Sequence, residues 1–170
     1  MKTLIAIAAV SLAASGASAQ SWTGNTTGKP TYNRSLVGFS GLSAVGTAVR
    51  YEVFQFTVTQ NGSYTFQNTA TGGWDNFTFL YQNAFNPGSP LLNGIASNDD
   101  NPGIGLSGFS IALTAGTQYF YVATGFANTD FGAYRVDVSS TSGGQVVLVP
   151  APGAAALMGM GMLVAGRRRR

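Results

Sequence analysis

The chain has 170 residues, contains neither cysteine nor histidine, and carries a formal charge of +3. It therefore has no disulfide framework, and it lacks both the commonest general base and the commonest transition-metal ligand in proteins. Residues 20–144 hold four cationic side chains against six carboxylates. This mildly acidic part has none of the clustered lysine and arginine that a nucleic-acid-binding face requires, so no nucleic-acid partner is expected.

The N-terminal end shows the three parts of a secretory signal peptide. A lysine at the second position precedes an apolar stretch over residues 4–14, and Ala17 and Ala19 provide the small residues of a cleavage site. The pattern predicts a signal peptide over residues 1–19 and a mature chain that begins at Gln20. An uncleaved membrane anchor is the alternative, but the apolar stretch is shorter than the roughly 20 residues that a spanning helix needs.

The body of the chain predicts strands without intervening helices. Phe54, Phe56 and Val58 alternate with polar residues, which is the period of a half-buried strand. The Asn-Gly pair at residues 61–62 then predicts a tight hairpin turn into a second strand over residues 63–67. Further strands are predicted over residues 74–82, 111–113, 118–124 and 134–138, with a weaker one over residues 36–42.

Short strands joined by Gly, Asn, Pro and Ser turns favour two sheets packed face to face, because one sheet alone would leave its apolar face in water. The sequence predicts a single all-β domain over residues 20–144, with a core over about 36–140. We expect a β-sandwich of jelly-roll type, flanked by the signal peptide and a C-terminal hydrophobic helix. A small barrel is the alternative.

Four segments carry a resemblance to a known module. They read YEVFQFTVTQNGSYTF from residue 51, SNDDNPG from residue 97, LTAGTQYFYV from residue 113 and FGAYRVDV from residue 131. Together they resemble the bacterial pre-peptidase C-terminal domain over residues 51–139. The resemblance implies a β-sandwich module appended to secreted proteins, and a fold of this kind hosts many activities.

Residues 145–170 form a distinct tail. It contains Pro150, Ala151 and Pro152, an uncharged run over residues 153–166, and a basic end made of Arg167, Arg168, Arg169 and Arg170. The tail is similar to the PEP-CTERM sorting signal, with alanine in place of the middle glutamate. The resemblance implies export, temporary membrane retention, processing by an exosortase-type transpeptidase, and release to the outer surface or extracellular matrix. A permanent short tail anchor is the alternative, although the apolar run is too short to span roughly 30 Å of hydrocarbon.

One turn in the body predicts metal binding. Residues 98–103 read Asn-Asp-Asp-Asn-Pro-Gly and offer hard oxygen ligands of the kind that calcium prefers. Asp99 and Asp100 are the expected ligands, with Asp75 or Asp130 as more distant donors. The alternative is an ordinary tight turn, since turns prefer the same residue types. No other cofactor is expected.

Aromatic residues raise the prospect of glycan contact, because exposed rings stack on sugar faces. The candidates are Trp22, Trp74, Tyr81 and Phe85. The alternative is that these rings belong to the core, which large aromatic side chains usually dominate in small domains.

Catalysis is not expected. A nucleophile would have no histidine to activate it, and the only lysine of the body, Lys29, lies in a Gly/Thr/Pro-rich opening. Glu52 with an aspartate could in principle form a glycosidase pair, but no signature supports it. The sequence predicts a non-enzymatic exported protein of the cell envelope, structural or adhesive in role. A polysaccharide-binding module and a secreted hydrolase are the alternatives.

Overall fold

The computed structural model describes residues 18–149 of the chain. Residues 1–17 and 150–170 lie outside the described residues, and with them most of the predicted signal peptide, the sorting motif and the predicted C-terminal helix. Within the described range the strands are β1 (Ser18–Asn25), β2 (Thr31–Tyr32), β3 (Val49–Val58), β4 (Gly62–Ala70), β5 (Asn76–Gln82), β6 (Gly94–Asn98), β7 (Leu106–Leu113), β8 (Tyr119–Gly125), β9 (Ala133–Ser140) and β10 (Val146–Leu148). A short 3-10 helix covers Val37–Phe39. No helix in this part of the chain is long and apolar enough to cross a membrane.

The strands form two antiparallel sheets. One has the order β1-β9-β4-β7, and the other has the order β10-β3-β8-β5-β6 with β2 also paired to β3. Leaving out the short strands β2 and β10, the facing orders β1-β9-β4-β7 and β3-β8-β5-β6 show the interleaved connectivity of a jelly roll. The predicted jelly-roll sandwich is therefore confirmed, and the barrel alternative is wrong.

The predicted hairpin at Asn61-Gly62 is wrong, although both of its strands exist. β3 pairs with β2, β8 and β10, whereas β4 pairs with β7 and β9, so the turn crosses from one sheet to the other. Neither Asn61 nor Gly62 has the positive φ that a type I′ turn requires. Asn61 instead accepts a hydrogen bond at Oδ1 from the Ala115 amide at 2.8 Å. Glycine is required at residue 62 because a Cβ there would collide with the Ser142 side chain.

The main core lies between the two sheets and is built from aromatic rings. The Phe66 ring stacks on Tyr121 at 5.7 Å between centroids and contacts Phe56 across the sandwich at 5.7 Å. Trp22 meets Tyr121 edge to face at 5.7 Å. These inward side chains occupy alternate positions of their strands, so the alternation in the sequence records which residues reach the core.

A second core covers the outer face of the larger sheet. Phe77, Phe79 and Tyr81 of β5 point away from the main core, and they are at most 1 % exposed because the segment over residues 33–48 packs near them. Leu80 of the same strand is buried in the main core. β5 is thus buried on both faces, which explains its nearly continuous run of apolar residues.

Two strands of the sandwich lie at the predicted limits of the domain. β1 begins at Ser18, two residues before the predicted mature N-terminus, and β10 uses residues that were assigned to the tail. The Gln20 side chain joins the two terminal strands across the layers: its Nε2 donates to the Val146 carbonyl at 3.1 Å, and its Oε1 accepts from the Val146 amide at 2.6 Å. The boundary predicted at residue 144 and the core predicted over 36–140 therefore leave out strands of the sandwich.

Candidate functional site

Arg34 is the most buried charged side chain of the described domain, with 2 % exposure. Its Nε and Nη2 donate to the Phe126 carbonyl at 3.0 and 2.9 Å, and its Nη1 donates to the Ser35 carbonyl at 3.0 Å. The guanidinium lies over the Phe77 and Phe126 rings at 4.3 and 4.9 Å from their centroids. Within residues 18–149 no carboxylate lies at ion-pair distance from it, so carbonyls and aromatic faces stabilise the charge.

The loop around Arg34 is folded to fit that side chain. The Arg34 amide donates to the Gly46 carbonyl at 3.0 Å, and the Ser43 amide donates to the Arg34 carbonyl at 2.8 Å. A Cβ at Gly46 would lie 2.6 Å from Arg34 Nε, so only glycine allows this approach. The segment over residues 33–48 is therefore organised around one buried cation.

Three aspartates, from three different loops, interact electrostatically with this cation at longer range, and a fourth, Asp100, interacts with two of them. Asp75 precedes β5, Asp99 and Asp100 follow β6, and Asp130 precedes β9. Burial, together with the charges of Asp75 and Asp100, raises the pKa of the Asp99 carboxyl to about 6, and Arg34 opposes this increase. Burial and the charges of Asp100 and Asp130 likewise raise the pKa of Asp75. The fold thus places the four predicted calcium donors at the same end of the sandwich, within electrostatic range of one another.

The aspartates do not form a ready metal-ligand set in the described domain. Among residues 18–149 no three acidic side chains are close enough to hold one ion. Asp130 Oδ2 accepts a hydrogen bond from the Ala127 amide at 2.8 Å, so it caps its own turn. The buried Oδ1 atoms of Asp75 and Asp99 have no hydrogen-bond partner among the described residues. Calcium binding by Asp99 and Asp100 stays a prediction.

The two asparagines of the predicted calcium turn hold the loop onto β7. Asn98 Oδ1 accepts from the Gly108 amide at 2.9 Å, and Asn101 Nδ2 donates to the Gly108 carbonyl at 3.3 Å. The Asn101 amide also donates to the Leu106 carbonyl at 2.6 Å. The Asn98 amide oxygen therefore already accepts a hydrogen bond, and the two asparagines of the motif stabilise the turn.

Replacing Asp99 with asparagine tests how the charge of this carboxylate affects the stability of the domain. Because the folded-state pKa of Asp99 exceeds the unfolded value of 3.8, the folded protein binds more protons between about pH 4 and about pH 6. The free energy of unfolding should therefore fall as the pH rises through this window, and D99N should reduce that decline to the part that Asp75 contributes. After allowance for partial solvent exposure, we expect the variant to be more stable at pH 7.5 by about 1 kcal/mol, measured by urea denaturation.

Calcium provides the second arm of this experiment. A bound cation would favour ionised Asp99 and should raise the wild-type unfolding midpoint at pH 7.5 while leaving D99N unchanged. Equal midpoints of the wild type with and without millimolar calcium would show that the calcium prediction is wrong. A midpoint difference between wild type and D99N that does not vary with pH would contradict the electrostatic explanation.

Glu52, the only glutamate of the chain, is held by three partners. Its Oε2 accepts from the Tyr134 hydroxyl at 2.9 Å and from the Asn25 amide at 3.0 Å, and its Oε1 lies 2.7 Å from Lys29 Nζ. A Cβ at Gly24 would collide with both the carboxylate and the Tyr134 hydroxyl. The carboxylate thus connects β1, β3 and β9, and its oxygens face partners within the domain rather than an open cleft.

The four aromatic candidates for glycan contact belong to the core. Trp74 is 9 % exposed and donates from Nε1 to the Ala133 carbonyl at 3.0 Å, while Tyr81 is fully buried with its hydroxyl 3.0 Å from the Pro90 carbonyl. The partly buried rings of Trp22 and Phe85 pack against three aromatic neighbours each. Burial of Trp74 and Tyr81 leaves no ring face for a sugar at these two positions, whereas glycan contact by the partly buried Trp22 and Phe85 stays a prediction.

The structure contains an apolar groove that the sequence did not predict. It encloses about 310 Å³ and is lined by Leu42 and by residues 88–92, in the loop between β5 and β6. Leu92 is 63 % exposed and Leu42 is 48 % exposed. The only feature of the sequence that could have indicated the groove is a Pro-Leu-Leu run inside a predicted loop. Such a run has neither the helical nor the strand period of apolar residues.

No protein-family model and no curated protein matches the chain. Among solved structures, the chain is similar to the pre-peptidase C-terminal domain of a collagenase from Bacillus anthracis, with 14 % identity, 70 % of this chain and 87 % of that chain covered, and a TM-score of 0.44. It is also similar to the Yersinia pseudotuberculosis-derived mitogen, with 14 % identity, 71 % and 84 % covered, and a TM-score of 0.38. These scores are too low to support a functional argument, and the assignment of the fold rests on the strand order.

Proposed function

We propose that this chain is a non-enzymatic exported protein of the cell surface or extracellular matrix, with a structural or adhesive role. The observation that supports this proposal most directly is the engagement of Glu52. The carboxylate that a glycosidase pair would use is held by the Tyr134 hydroxyl, the Asn25 amide and Lys29. A catalytic carboxylate needs access to a substrate, and this one instead fastens three strands together.

The second part of this proposal is delivery by a C-terminal sorting signal, and it rests on the sequence of the tail. β10 ends at Leu148, and the Val149 amide donates to the Gln55 carbonyl at 2.7 Å. Pro150, the first residue of the Pro-Ala-Pro motif, is the next residue in the sequence. In this proposal the domain is exported by the signal peptide, retained through the tail, and then processed by an exosortase-type enzyme.

Intact mass and cell fractionation test the proposal. The wild type should yield a mature species that begins at Gln20, ends near Pro150, and is found at the surface or in the matrix. Deletion of Arg167 to Arg170 should abolish the C-terminal processing, because the basic end holds the orientation of the tail. As a matched control, R135Q removes an exposed cation from the domain, and it should be processed normally.

Two results would contradict this function. A wild-type species that retains Arg170 in the membrane fraction would show that the tail is a permanent anchor. A species that retains residues 1–19 inside the cell would show that the chain is not exported. Either result concerns targeting alone and leaves the architecture of the sandwich unaffected.

A further inference from the structure

Each sheet of the sandwich has two outer edges, and three of the four edges are at least partly covered. β2 and β10 pair with the outer edge of β3. The 3-10 helix packs beside β6, where the Gly38 amide donates to Ser97 Oγ at 2.8 Å. On β7, the Asn98 and Asn101 hydrogen bonds occupy outward-facing groups of Leu106 and Gly108. Coverage of this kind is how proteins prevent unwanted strand pairing.

The fourth edge, β1, has no strand paired to its outer side among residues 18–149. The Thr26 amide donates to the Gly132 carbonyl of the adjoining strand at 3.0 Å, whereas the Asn25 amide turns away and donates to Glu52. Antiparallel ladders alternate, so even-numbered residues of β1 bond to β9 and odd-numbered residues face outward. The backbone groups of Ala19, Ser21 and Thr23 therefore point away from the sheet.

The register of β9 agrees with this assignment. The Ala133 carbonyl accepts from the Thr71 amide, so the odd-numbered residues of β9 face β4. Its even-numbered residues then face β1, where Val136 lies opposite Trp22 and Tyr134 opposite Gly24. Two independent hydrogen bonds thus give the same orientation for the open edge.

Within residues 18–25 this edge has none of the usual protective features. Residues 18–25 read Ser-Ala-Gln-Ser-Trp-Thr-Gly-Asn, without charge and without proline. The outward side chains of Ala19, Ser21 and Thr23 are small and exposed. An uncharged and regular edge strand is a template for pairing with another strand.

We propose that β1 pairs antiparallel with β1 of a second copy of this chain, with Ser21 opposite Thr23 of the partner subunit. A two-fold axis through the Trp22 position makes the arrangement self-complementary, because each copy offers the same two outward residues. The two pairs exchange four backbone hydrogen bonds and join the four-stranded sheets into one continuous sheet. The register uses only residues after the predicted mature N-terminus, so signal cleavage leaves it intact.

Sedimentation velocity of the protein purified from its cells tests this pairing. A contact of four backbone hydrogen bonds is small, so we expect a weak dimer that forms between about 10 µM and about 1 mM. S21P removes an outward amide without breaking the β1–β9 ladder and should remain monomeric. S110P is the matched control, because it removes an outward amide from the opposite edge of the same sheet and should dimerise like the wild type.

Three outcomes overturn the proposal: a wild type that stays monomeric to about 1 mM, an S21P variant that dimerises like the wild type, or loss of dimers in S110P alone, which would place the contact on β7. Amide exchange of the wild type provides a test that needs no variant. Exchange at Ser21 and Thr23 should slow at least threefold as the protein concentration rises, while Ser110 and Ala112 stay constant. Rates at Ser21 and Thr23 that do not depend on concentration would also overturn it.

Discussion

Replacing Arg34 with leucine is expected to lower the free energy of unfolding by about 3 to 4 kcal/mol. The change removes three hydrogen bonds and leaves the part-buried Phe126 carbonyl and the buried Ser35 carbonyl without these donors. It also removes the cation that offsets the charges of Asp75, Asp99 and Asp130. Urea denaturation followed by tryptophan fluorescence measures the loss.

R34K separates charge from geometry. A lysine keeps the positive charge but cannot donate two hydrogen bonds to one carbonyl while also donating to another, so an intermediate loss of about 2 kcal/mol is expected. The matched control is R135L, whose arginine is 55 % exposed and should cost less than about 0.5 kcal/mol. An R34L protein within about 1 kcal/mol of the wild type would show that the guanidinium does not organise this end of the sandwich.

Replacing Glu52 with alanine is expected to destabilise the fold by about 2 to 3 kcal/mol. The Tyr134 hydroxyl loses its acceptor inside the domain and is left with a desolvation penalty, whereas the exposed Asn25 amide can bond to water instead. The ion pair with Lys29 adds less, because the lysine side chain is 43 % exposed. Thermal unfolding followed by circular dichroism measures the change.

D137A is the matched control for this carboxylate. Asp137 also pairs with a cation, Arg135, but both side chains are about half exposed, and the loss should be about 0.5 kcal/mol or less. E52Q keeps one acceptor oxygen and should fall between wild type and E52A. If E52A and D137A cost the same, Glu52 does not fasten the strands, and the main support for a structural role of this carboxylate disappears.

The sequence predicted six of the ten strands within residues 18–149 but not how they pair, and the strand predicted over residues 36–42 is wrong because Val37–Phe39 forms a 3-10 helix. Phe54, Phe56 and Val58 alternate as expected, because period two depends only on which side chains face the core. The turn at Asn61-Gly62 was assigned to a hairpin, since a turn between two strands looks the same whether the strands pair or lie in opposite layers. Pairing depends on contacts between distant residues, and local pattern does not contain them.

The group formed by Arg34 and the aspartates around it was predicted only in part. The sequence predicts Asp99 and Asp100 as hard oxygen ligands on one turn. In the structure, the charges of Asp75 and Asp130 act on Asp99. Arg34, which organises the same end, gave no signal, because an isolated arginine in a loop looks solvent-exposed. Its burial arises from Phe77 and Phe126, which lie far from it in sequence.

The contact between Gln20 and Val146 has a mechanical consequence. A force applied through the tail would act first on the Val149–Gln55 hydrogen bond and would then peel β10 from β3 towards Val146. At Val146 the two hydrogen bonds of the Gln20 side chain connect the two sheets, so part of the force is transmitted to β1. In a domain tethered by its C-terminal end, β10 would thus separate from β3 first, while the Gln20 hydrogen bonds keep the force away from the central strands.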